Sequence, residues 1–135
     1  MSYPITDIQG IGTDVAAILK SDGIRTTWGL LRSAKTPKQR LKIALKIGTP
    51  EKEVLDWVTA ADRMRIKGVG WEYAELLGAA GVRTVNELKF RNPKKLAHAM
   101  AEINSKRKLV RVLPAEGTVM RWIEAAKELP CVISY

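Results

Sequence analysis

Cysteine, histidine and phenylalanine occur once each in these 135 residues, and carboxylates are outnumbered, 14 Asp and Glu against 23 Lys and Arg. The single thiol, Cys131, can close no internal disulfide, which fits a reducing compartment. The single imidazole, His98, has no second His or Cys near it in the chain, so no metal site is expected. A lone general base without a nucleophile suggests no catalysis, and a Walker loop, a nucleophile elbow and a carboxylate cluster are all missing. The chain is therefore read as no enzyme and as holding no organic cofactor. No apolar run approaches the ~20 residues that a membrane helix needs. The first residues also lack the basic-then-apolar order of a secretory leader, so a cytoplasmic protein with no membrane partner is expected. Strand-like alternation is confined to residues 109–113, and no linker rich in Ser, Gly or Pro divides the chain.

What is present is enough apolar side chain for a packed core, 46% of residues, and a net charge of +9 that is unevenly placed. Residues 1–62 hold 9 Lys and Arg against 7 Asp and Glu, whereas residues 63–135 hold 14 against 7. Such a surface attracts polyanions, whether nucleic acid, acidic protein or anionic lipid.

The chain also states one pattern twice. Gly10, Gly12, Ala16, Leu19, Gly23, Arg25 and Thr26 recur 58 positions later as Gly68, Gly70, Ala74, Leu77, Gly81, Arg83 and Thr84. Trp57, followed by Val-Thr-Ala-Ala, is answered by Trp122, followed by Ile-Glu-Ala-Ala, now 65 positions on. The larger spacing places an insertion of about seven residues in the second copy, at 104–114, a stretch with four basic residues and no acidic one. Duplication at a fixed period marks two copies of one supersecondary unit that share a core. The expected architecture is all-α, with copies over 1–62 and 63–135 packed about a pseudo-twofold axis as one compact domain.

Caps and apolar spacing support helices throughout. Thr36-Pro37, Thr49-Pro50 and Asn92-Pro93 each place a capping side chain before a proline suited to the first helical position. Thr84 with Glu87 forms a capping box that opens a short helix over about 85–90. Val54, Leu55, Val58 and Ala61, and later Val119, Trp122, Ile123 and Ala126, recur at helical spacing.

In each copy a Gly-x-Gly turn runs into a helix. Two glycines permit a tight reversal with bare amides, and those amides lie at the positive end of the following helix dipole. Ile11 and Val69, between the glycines, should plug the core, and Ala16 and Ala74 should let each helix close on its partner. This pattern resembles the helix-hairpin-helix motif of DNA repair and replication proteins. With the Trp-[Val/Ile]-x-Ala-Ala segments and Asn92-Pro93-Lys94-Lys95-Leu96, the wider pattern resembles an uncharacterised bacterial family of two such units, over about 5–128. The motif implies sequence-independent contact with the phosphates of double-stranded DNA, often with a monovalent cation on the hairpin carbonyls. Carried over by position, the contact residues are Gly10, Gly12 and Thr13 in the first copy, and Gly68, Gly70 and Trp71 in the second. Lys67 is a charge partner for the second turn, where the first has neutral Gln9. Asp14 weakens an anion site at the first turn.

Outside the turns, Lys35, Lys38, Arg40, Lys42 and Lys46 share a segment without acids, and Arg91, Lys94 and Lys95 surround the Asn-Pro turn. Lys106, Arg107 and Lys108, read as a loop, are the chosen backbone contacts among the clusters. Trp57, Trp122 and Trp28 read as packing residues. Trp71, at the exit of the second turn, could stack on a sugar or base or dock a protein. RNA in place of DNA stays open, as does an adaptor or scaffold role in which the basic face docks an acidic protein. The sequence leaves the oligomeric state open.

Overall fold

The structure, a computed structural model, describes residues 2–135. Those residues form eight α-helices and no strand; Pro4 and Thr26 make one isolated β-bridge. A single 3-10 turn at Ile5–Asp7 leads into the first glycine turn. After it come α1 (Thr13–Ser21), α2 (Thr27–Ser33), α3 (Pro37–Ile47) and α4 (Glu51–Arg63). The second half holds α5 (Trp71–Ala79), α6 (Val85–Leu88), α7 (Pro93–Arg107) and α8 (Glu116–Lys127). Among the described residues, no helix is long and apolar enough to cross a membrane.

Local chemistry places most helix starts. Thr36 accepts from the Gln39 amide while the Gln39 side chain accepts from the Thr36 amide, with Pro37 first in the helix. Thr84 and Glu87 do the same at α6, and Asn92 caps α7 through the Lys95 amide. The α6 helix ends at Leu88 rather than at 90. At α4 the cap differs from expectation: Pro50 takes the N-cap position, and the Thr49 hydroxyl donates to Glu53 instead of capping.

The apolar stripes meet in one core. In α4, Val54, Trp57, Val58 and Ala61 are buried; in α8, Val119, Trp122, Ile123 and Ala126 are. Helix α4 packs against α2, α3 and α5, and α7 against α5 and α8, so α4 joins the two halves. Ile11 and Val69 are buried between their glycines, and Ala16 in α1 and Ala74 in α5 are buried too.

The hydrogen bonds of the first glycine turn recur at the second, 58 residues on. Ile11 N donates to Ile8 O at 3.1 Å and Val69 N to Ile66 O at 3.0 Å; Ile24 N reaches Leu19 O at 2.9 Å and Val82 N reaches Leu77 O at 3.0 Å. Gly10 and Gly68 have φ of 93° and 90°, the left-handed region that side chains resist. Trp57 and Trp122 pack behind these two glycines: a Cβ on Gly10 would lie 3.1 Å from Trp57 Nε1, and one on Gly68 3.5 Å from Trp122 Nε1.

Several sequence expectations change. Residues 109–113 form no strand. The 104–114 stretch is helical up to Arg107, so Lys106 and Arg107 sit in the last turn of α7 rather than in a loop; Lys108 follows as its left-handed cap, at φ 51°. Helix α7 kept its pattern because nothing in residues 104–107 breaks a helix. Asn104 then clamps Val110, taking its amide at 3.0 Å and donating to its carbonyl at 3.1 Å. Arg40 is no solvated cation: it is buried, donating to the carbonyls of Ala34, Lys35 and Ser134 and pairing with Glu51. It thereby fastens the C-terminal tail, whose Ser134 amide also reaches Lys35 O at 2.7 Å. Trp28 is 42% exposed rather than packed.

Candidate functional site

Four helices, α2, α3, α6 and α7, are capped by their own Thr or Asn side chains. The other four, α1, α4, α5 and α8, have no side-chain cap, and of these α1 and α5 begin at glycines, Gly12 and Gly70. The first amides of a helix have no partner inside it, so these two starts present donors outward at the positive end of the helix dipole. A Cβ placed on Gly12 or on Gly70 would meet nothing within 4 Å, so the space over both is open. Gly10, Gly12, Thr13, Lys67, Gly68 and Trp71 are exposed and Gly70 is half-buried.

The charge around the turns differs between copies. Asp7 and Asp14 flank the first turn; Arg65, Lys67 and Glu72 flank the second. Glu72 stands where Asp14 stands in the first copy, one residue into its helix, so Asp14 alone does not set the first turn apart. The distinction rests on Asp7 against Arg65 and Gln9 against Lys67. Arg65 is engaged, its Nη1 donating to Asp62 at 2.9 Å, which leaves Lys67 as the exposed cation beside the second turn.

Two hollows open beside the first turn. One, of about 550 Å³, is lined by residues 6–12 and by Trp71 from the start of α5. It brings Gly10, Gly12 and Trp71 to one place, although Trp71 lies far along the chain. The other, of about 440 Å³, shares Gln9 and Gly10 and is lined further by three basic residues, Arg63, Arg83 and Arg107, and three acidic ones, Glu53, Asp56 and Glu75. Arg107 thus joins the first turn, whereas Lys67, Lys106 and Lys108 line neither hollow. Tyr73 is half-buried against Trp122, ring centroids 5.3 Å apart, and its hydroxyl donates to Val112 O at 2.9 Å, tying the basic stretch to α5.

The match to the family model described as Domain of unknown function (DUF4332) runs over residues 9–129. The chain belongs to that family. No curated protein and no solved structure matches it. In this member of the family the matched region takes in both glycine turns and stops before the tail held by Arg40.

Sequence reasoning did not foresee the two charged side chains buried between the turns. Asp62, 3% exposed, accepts from the Val85 amide at 2.8 Å, which starts α6. Arg63, 7% exposed, donates from Nε to Ala74 O at 2.7 Å and from Nη1 to Arg83 O at 2.8 Å. Burial pushes the Arg63 guanidinium down to about 10, against the pull of Glu75, so it stays charged at neutral pH. Gly78 makes room for it, since a Cβ there would lie 2.9 Å from Arg63 Nη2. The available signal was Asp62, four residues after Val58 and so beside the apolar stripe of Val54, Val58 and Ala61; Arg63 falls on the opposite side of the helix and gave none.

Proposed function

We propose that this protein is a non-catalytic module that binds double-stranded DNA without sequence preference, through two tandem helix-hairpin-helix repeats related by a pseudo-twofold axis. The carrying observation is the pair of uncapped helix starts at two glycines, Gly12 exposed and Gly70 half-buried, each with open space above it. Each turn would hold one backbone phosphate on its amides. Lys67 would strengthen the second site, with Lys106, Arg107 and Lys108 adding screening-sensitive attraction. Thr13 donates at the first site, and Trp71 borders both copies. Phosphate-directed turns need no deoxyribose, so an RNA duplex is a competing ligand in the same assay.

A titration of random duplex DNA at ~50 and ~200 mM salt tests the reading, because each phosphate contact contributes about 0.9 to the salt slope. Binding at the lower salt that weakens steeply at the higher is the expected result, and charge reversal at Lys67 together with Lys106 and Lys108 should flatten the slope at an unchanged melting temperature. Absence of binding at ~50 mM removes the proposal.

The adaptor reading has its own observation. Leu41 and Leu45 are 50% and 75% exposed, one turn apart on α3, with Lys38 and Lys42 beside them. An amphipathic acidic helix fits that face. It predicts stoichiometric capture of a protein with weak retention on DNA, lost on Leu45→Asp.

A further inference from the structure

The hollow between the first turn and Trp71 has a composition that argues against phosphate. It is open and about 550 Å³, within the range of about 300–1,000 Å³ typical of small-ligand sites. Its lining residues include Asp7 and Gln9, and no Lys or Arg. A phosphate placed there would face a fixed negative charge without a cation to offset it. A neutral ring carrying amino groups fits better on both counts: the carboxylate and the amide oxygen accept from exocyclic amines, and the Trp71 indole, 43% exposed, offers a stacking face. Two of the lining residues, Gly10 and Gly12, bring no side chain to fill the space.

We infer that this hollow takes an unpaired nucleobase stacked on Trp71, so that the protein favours DNA with a gap or single-stranded end over a continuous duplex. The inference rests on the nucleic-acid reading above and adds a second task to the first turn. Both turns hold the backbone on the amides that open α1 and α5, the second strengthened by Lys67; the first, with Asp7 and Gln9 beside it, also walls in a base. A base within an intact duplex is stacked on both faces and cannot reach the indole without being extruded.

The test uses the full chain and two DNAs of the same sequence, an intact duplex and one with a gap of a few nucleotides bearing 2-aminopurine as its first unpaired base. The gapped DNA should bind about tenfold tighter, within what one stacked base contributes, with 2-aminopurine emission quenched on binding. Trp71→Ala should abolish both the preference and the quenching, and Trp71→Phe should keep both; the aromatic variant guards against a folding defect in the first. Equal affinity for the two DNAs, or a preference that survives Trp71→Ala, overturns the base site while duplex binding stands. Binding to neither DNA overturns both readings.

Discussion

In the first glycine-turn unit the entering chain is fastened by its own backbone. Ile5 N donates to Arg25 O at 3.0 Å and Thr27 N to Tyr3 O at 2.9 Å. Fifty-eight residues on, the same two positions are satisfied by side chains: Arg83 O receives Arg63 Nη1, and Val85 N donates to the Asp62 carboxylate. The reason is that residues 62 and 63 close a helix. The last turn of α4 cannot lie extended beside α6 as residues 3–5 lie beside α2, so its side chains reach across instead. Asp62 and Arg63 stand where the first unit has Pro4 and Ile5. One unit can thus be joined to a preceding helix at the cost of burying two charges.

That difference makes the second unit far more sensitive to single substitutions. Asp62→Ala strands the Val85 amide and removes a buried partner of Arg65, so a loss of about 3–5 kcal/mol is expected in chemical denaturation. The equivalent change in the first unit, at Pro4, touches no such bond. Arg63→Ala removes two charge-assisted bonds to Ala74 O and Arg83 O but also relieves a desolvated charge, giving about 2 kcal/mol. Retention of full stability in both variants would erase the contrast.

The glycine turns sharpen it in the other direction. Gly10→Ala and Gly68→Ala each force a side chain to positive φ, at about 1–2 kcal/mol. Gly10→Ala should be the worse of the two in thermal melts, because its methyl would crowd Trp57 Nε1 at 3.1 Å while the one on Gly68 meets Trp122 Nε1 at an ordinary 3.5 Å.

The smallest effect concerns charge alone. Gln9→Lys gives the first turn the cation that the second has, and Lys67→Gln removes it from the second. Both sites are exposed, so melting temperatures should stay put. Affinity for duplex DNA at ~50 mM salt should fall a few-fold for Lys67→Gln and rise for Gln9→Lys, with salt slopes moving by about 0.9 in the same sense.

Local chemistry made much of this fold legible. The repeated glycines, the Thr84–Glu87 box, the Thr36 and Asn92 caps and the stripes of α4 and α8 are all short-range signals, and each one stands where its spacing put it. The clamp of Asp62 and Arg63 and the tie between Arg40 and Ser134 were not legible. Their partners lie 11 to 94 residues away in the chain, and spacing carries no trace of which carbonyl a long side chain will find. The site divides similarly. Exposed turns followed from glycine, whereas the approach of Trp71 to residues 6–12 depends on how the halves pack. The basic stretch misled because a run of Lys and Arg looks like a loop but also continues a helix at little cost.

The central claim is that open amides at the two glycine-started helices meet the nucleic-acid backbone, and amide chemical shifts report this residue by residue. With ¹⁵N-labelled protein and substoichiometric duplex DNA at low salt, the account predicts the largest ¹H–¹⁵N changes at Gly68, Gly70 and Trp71, with Gly12 and Thr13 next. Changes centred on α3 around Leu41 and Leu45 instead, or no change at any of these amides, would contradict it.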